Sequence, residues 1–150
     1  MELEVERVLK EKKIPYQLLR SSHKIVSYED AKKEPGAEDE CKTVIVRGKS
    51  GKYYAFFLRG MMRVDFSKAA SAVGEKVSMI SAEELKKATG KEPGEVCPFL
   101  LGDIPFFVDE RVFSRASLQF GSGNAFIGLV ISSKDLEKVA RFSKRDFAKE

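Results

Sequence analysis

A chain of 150 residues, 43% of them hydrophobic and 11 of them phenylalanine, can bury a core without disulfides or metals. No apolar run nears the ~20 residues of a membrane helix, Met1-Glu2-Leu3-Glu4 has no signal-peptide pattern, and His23 with two cysteines is too little for a zinc site. The net charge of +4 is gathered in one place, since residues 41–68 carry seven Lys and Arg against Asp65 alone.

In chain order, Leu3, Val5, Val8 and Leu9 interleaved with charge predict an amphipathic helix that stops before Pro15. Tyr16 to Arg20 reads as a strand. Ser27 with Asp30 three residues on predicts a capped helix to Lys33, ended by Glu34-Pro35-Gly36, with Glu38-Asp39-Glu40 as exposed loop. Thr43 to Val46 and Tyr53 to Leu58, joined by Gly48-Lys49-Ser50-Gly51, form the clearest hairpin, and strands this apolar are expected to be covered on both faces. Asp65 caps a helix that Gly74 closes, Val77 to Met79 is a short strand, and Ser81 with Glu84 opens a helix that Gly90 ends. A Gly- and Pro-rich loop runs from Lys91 to Gly102. Strands follow at Ile104–Val108 and Leu118–Phe120, and a hairpin turn at Gly121-Ser122-Gly123-Asn124 leads into a strand to Ile131. Ser132 or Ser133 caps a last helix to about Arg141, and a charged tail completes the chain. Neither repeats nor a linker interrupt this pattern, so one domain over residues 1–150 is expected. Sequential strands without strict βα alternation predict an α+β fold with a mixed, strongly curved, barrel-like sheet surrounded by helices.

With two Gln and one Asn beside 33% charged residues, the composition points to a thermophile. The basic middle suits a polyanion such as RNA, and equally a solvated hairpin whose lysines guard an edge strand. No phosphate-binding Gly-x-x-x-x-Gly-Lys-Ser loop and no Gly-x-Ser-x-Gly elbow is present. Chemistry would therefore rest on a lysine, on backbone groups or on the substrate. Lys42, at the start of the most apolar strand, is placed to hold a phosphate or a terminal ribose, although a lysine there also suits a plain strand start. Gly94, within Gly90 to Phe99, lets a ligand approach main-chain amides of the kind that stabilise an oxyanion, or simply completes a connection. Phe120 to Ala125 supplies a small-residue wall as well as a turn.

Taken in order, Lys42-Thr43-Val44, Asp65 to Gly74, Gly94 to Pro98, Val108-Asp109 and Gly121-Ser122-Gly123-Asn124 resemble the YbaK/EbsC family and the editing insertion of bacterial prolyl-tRNA synthetases. His23 and Ser27-Tyr28-Glu29-Asp30-Ala31 resemble the segment before the family's lysine strand, so the likeness runs from about Val5 to Val139. It implies a trans-editing hydrolase that deacylates mischarged tRNA, Ala- or Cys-tRNA for proline above all, with the acceptor end as partner and prolyl-tRNA synthetase as a second one. It implies no cofactor and no protein nucleophile, the substrate's own ribose hydroxyl and a water doing the work. By the same resemblance Lys42 stands for the family's functional lysine, and Gly94 is expected near the scissile carbonyl. Thr43, Pro98, Gly121, Ser122, Gly123 and Asn124 are the expected substrate-binding residues. Departures are Cys97 in place of a common serine, Phe99-Leu100-Leu101 after the proline, and Glu95 inside the loop. Two other readings stand beside this one: a tRNA- or nucleotide-binding module of the same fold without activity, and a thiol enzyme pairing Cys97 or Cys41 with His23. The expected location is the cytoplasm.

Overall fold

Capping chemistry and hydrophobic spacing account for the helices of the computed structural model, which describes residues 2–31, 33 and 40–150. Helix α1 (Glu4–Glu11) buries Val5 and Leu9, one turn apart, and Glu6 accepts a hydrogen bond from the Leu3 amide at 3.0 Å. Strand β1 (Gln17–Arg20) follows. In α2 (Tyr28–Ala31) the Asp30 amide donates to Ser27 Oγ, the N-cap bond expected of Ser27, while the Asp30 carboxylate accepts from the amide of Val26 rather than that of Ser27. Lys32 and residues 34–39, where this helix was expected to end, lie outside the described residues.

Strands β2 (Cys41–Gly48) and β3 (Tyr53–Arg59) form the predicted hairpin, paired from Cys41–Arg59 to Arg47–Tyr53. A two-residue strand β4 (Arg63–Val64) precedes α3 (Phe66–Val73), whose Asp65 cap accepts from the Ser67 and Lys68 amides and whose end is the left-handed Gly74. Strand β5 (Val77–Met79) and helix α4 (Ala82–Thr89) come next, α4 being capped by Ser81 and closed by Gly90. Strand β6 (Phe106–Asp109) leads through a 3-10 turn to β7 (Ser117–Asn124) and β8 (Ile127–Ser132). A single helical turn, α5 (Leu136–Val139), and strands β9 (Ser143–Arg145) and β10 (Ala148–Lys149) complete the chain.

The strands assemble into a five-stranded sheet β5-β2-β3-β6-β9, a three-stranded sheet β1-β8-β7 and a pair β10-β4. The large sheet is mixed: β2 pairs antiparallel with β3 and β5, and β6 pairs parallel with β3 and β9. Strand β3 is covered on both faces, as its composition requires. Phe57 stacks edge-on against Phe120 of the three-stranded sheet, while Phe56 meets Phe107 and Phe147 on the opposite face.

The fold is α+β with a mixed sheet as expected, but the strongly curved, barrel-like sheet is not formed, since no sheet is closed or strongly curled. All three sheets are open, because the edge strands β5 and β9 are only three residues long and β7–β8 takes β1 as its third strand. A lone parallel bridge, Glu40 to Gln119, links β2's start to β7. Other expectations also change. Gly121-Ser122-Gly123-Asn124 is not the hairpin turn but the bulged end of β7, and the chain reverses at Ala125 and Phe126. The last helix is one turn after a 3-10 segment, and the charged tail holds two strands around the fully buried Phe147. Glu40, expected in an exposed loop, is buried.

Candidate active site

Strand β2 is paired along one edge by β3, but on the other edge β5 reaches only Val46 to Gly48. From Lys42 to Ile45 that second edge has no ladder partner among the described residues. The Glu40–Gln119 bridge joins β2 to β7 at one end, and beyond it a cleft of about 820 Å³ opens along the unpaired edge. One wall is Glu40 to Ile45, and the other is Gly121, Asn124, Ile127 and Gly128. The Pro93-Gly94 loop, the Ile25–Glu29 segment and the start of α4 complete it.

Lys42 lines this cleft half-buried, and no hydrogen bond or ion pair engages its side chain among the described residues. Burial pushes its ammonium below the ordinary lysine range, an effect that Glu29 opposes and Arg63 adds to. An ammonium kept half out of water without a partner gains most from an anionic or hydroxyl-rich ligand. Gly94 has φ +89, and a Cβ there would lie 2.7 Å from the Ile25 carbonyl oxygen and 2.9 Å from Val26 Cγ1. Glycine is thus what lets this loop close against the Ile25-Val26 segment. Gly121 plays the same part on the opposite wall, where a Cβ would meet the Val96 carbonyl at 2.9 Å.

Of the expected site residues, Lys42, Thr43, Gly94, Gly121 and Asn124 come together in the cleft, whereas Pro98, Ser122 and Gly123 do not line it. Pro98 is buried. Ser122 is buried too, and its hydroxyl donates to the Ile127 carbonyl at 2.6 Å and accepts from the Asn124 amide, tying the β7 bulge together. Gly123 packs beneath the loop near Cys97. Glu95 is turned to its own loop and accepts from the Glu92 amide. Neither cysteine is poised as a nucleophile: both are buried, burial pushes the Cys97 thiol up to about 12, and His23 is exposed.

Sequence reasoning missed Glu40, Glu29 and Arg63, all of which line the cleft. For Glu40 a signal existed, since it precedes Lys42 by two residues and strand alternation puts both on one face. Three large apolar side chains, Val26, Met61 and Met79, line the cleft while 47 to 62% exposed, giving it an apolar rim. Outside it, a second recess at the β2–β3 turn is lined by Arg47, Lys49 and Lys76. Much of the basic middle is engaged internally: Arg47 pairs with Glu84, Lys68 with Asp146, and Arg63 donates to the Glu150 carbonyl.

Fold and cleft together define an open-sheet α+β domain with a lysine-bearing groove along the unpaired edge of β2. The crystal structure of hypothetical protein APE2540 shares this fold at a TM-score of 0.88 and 25% identity, covering 97% of this chain and 99% of that one. A protein proposed as a trans-editing enzyme for prolyl-tRNA synthetase superposes at 0.82 with 21% identity, over 97% of this chain and 95% of the other. A proposed signal-transduction protein from Marinobacter aquaeolei VT8 matches at 0.72 and 19% identity, where 97% of this chain covers 30% of a longer one. No curated protein matches the sequence significantly. Residues 23–139 match the aminoacyl-tRNA editing domain, and the chain belongs to that family.

Proposed function

We propose that this chain is a single-domain, cytoplasmic deacylase that acts in trans, hydrolysing the ester between a wrong amino acid and the 3′ end of tRNA. The observation that carries this reading is the half-buried Lys42 ammonium, which no hydrogen bond or ion pair engages among the described residues, in the same cleft as Gly94. Lys42 would hold the phosphate or ribose of the acceptor end, and the apolar rim of Val26, Met61 and Met79 would receive the terminal base. Main-chain groups of the Gly94 loop would face the oxyanion formed at the ester carbonyl, a contribution commonly worth ~3 kcal/mol per donor. The neighbouring ribose hydroxyl would hold the attacking water in line, and such proximity reaches effective molarities on the order of 10⁵ M. Neither buried cysteine takes part.

The expected substrates are alanine and cysteine on tRNA for proline, with prolyl-tRNA synthetase as the enzyme whose errors are cleared. The structural likeness to a protein proposed for that role supports this choice. A deacylation panel with Ala-, Cys-, Ser- and Pro-tRNA for proline tests it, together with an Ala-tRNA that lacks the adjacent ribose hydroxyl. Cleavage of the Ala or Cys ester, an intact Pro ester and an uncleaved deoxy substrate are expected. Binding of every tRNA with hydrolysis of none would make the chain a binding module.

A further inference from the structure

Glu40 stands where β2 and β7 meet. Its backbone is held from two sides, by the bridge to Gln119 and by the Gly60 amide, which donates to the Glu40 carbonyl at 2.7 Å. Gly60 is itself constrained, because a Cβ there would overlap the Tyr28 ring and lie 2.5 Å from the Glu40 carbonyl. The residue is 9% exposed and lines the cleft two positions before Lys42. No hydrogen bond or ion pair engages its carboxyl among the described residues. The other charged or titratable groups lining this end are Cys41, Lys42, Tyr28, Glu29 and Arg63. Burial alone, and none of these, accounts for a carboxyl pushed up to about 7.

A structural carboxylate this deeply buried is ordinarily paired or hydrogen-bonded. An unpaired one that lines a cleft is destabilising at neutral pH, and that pattern belongs to groups used in chemistry. We propose that Glu40 is a further catalytic residue of this cleft, the general base that takes the proton of the attacking water. The inference rests on the ester-hydrolase reading above. The water oxygen bonds to the ester carbonyl carbon as its proton passes to the Glu40 carboxylate. When the tetrahedral intermediate collapses, the bond from that carbon to the ribose oxygen breaks, and the proton on Glu40 passes to the departing ribose oxygen. The products are a free amino acid and a ribose hydroxyl, and Glu40 is a carboxylate again. A base titrating close to the working pH is the most effective kind, because it is both ionised and still a useful proton acceptor.

The test is single-turnover deacylation of Ala- and Cys-tRNA for proline across pH, corrected for spontaneous hydrolysis, with wild type, Glu40→Gln and Glu40→Asp. Wild type should show an inflection near 7. Glu40→Gln should lose it and run about 10²-fold or more slower, and Glu40→Asp should keep an inflection at a reduced rate. Glu40→Gln should also melt no lower than wild type at pH 8. A carboxyl raised from 4.5 to about 7 leaves the fold unburdened below the lower value and weakens it as pH rises through the upper one, and the amide removes that burden. Wild-type turnover with an unchanged inflection in Glu40→Gln overturns the inference, because the titrating group is then the substrate's amine. So does a raised half-saturating enzyme concentration at an unchanged single-turnover rate constant, which makes Glu40 an anchor for that amine. If wild type cleaves neither ester, the deacylase reading itself falls, and this inference with it.

Discussion

Lys42 and Gly94 line one cleft, yet substitution there would disturb different things. Among the described residues Lys42 makes no ion pair to lose, and its burial already disfavours its charge. Lys42→Ala is therefore expected to leave the melting temperature within a degree or two of wild type while removing most deacylation. A large fall in melting temperature with normal turnover per folded molecule would instead make it a structural residue. Gly94→Ala is harsher. Its left-handed φ and the 2.7 Å approach of Ile25's carbonyl oxygen mean that a Cβ must push the loop off the Ile25-Val26 segment. Loss of both turnover and about 1–3 kcal/mol of stability is expected, read by deacylation beside urea unfolding. Activity and stability both at wild-type level would show the loop to be a mere connector.

At the scale of elements, the tail is where structure and sequence pattern part. Residues 143–150 are dense in charge and read only as a charged tail, yet they supply β9 and β10 and bury Phe147 completely. Buried Asp109 fastens them: its Oδ2 accepts from the Phe147 and Ala148 amides, and Arg111 bridges Asp109 to Asp146. A lone phenylalanine among charges carries no periodicity, and its burial comes from distant partners such as Phe56, 91 residues earlier in the chain. Phe147→Ala should cost about 3–5 kcal/mol, as other buried aromatic truncations do. Equilibrium urea unfolding checks this, and a change under about 1 kcal/mol would mean the tail does not pack as described. The caps behaved otherwise. Asp65, Ser81, Gly74 and Gly90 act within one helical turn, so their roles were plain before any tertiary contact was known.

Across the whole molecule, the basic excess of residues 41–68 is only partly free to meet RNA, since Arg47, Arg63 and Lys68 are engaged within the fold. Of that stretch Lys49 and Lys52 remain exposed, as does Lys76 beyond it, and Lys49 and Lys76 line the recess at the β2–β3 turn. Binding of tRNA should weaken with salt at a log–log slope of roughly 2 to 4, that of a few phosphate contacts. Affinity measured between low and physiological salt checks it, and a flat dependence would point to a ligand without a phosphate backbone. What the sequence alone determined here is whatever local rules govern: the caps, the β2–β3 hairpin, the α+β class and the lysine at the strand start, together with an ordered set of motifs spread along the chain. Only the tertiary structure decided that the sheets stay open, that Ser122 and Pro98 belong to packing while Lys42 and Gly94 share a cleft, and that Glu40 is buried. Those outcomes depend on which strand edges find partners far along the chain, and edge pairing is a competition among segments that no local pattern encodes.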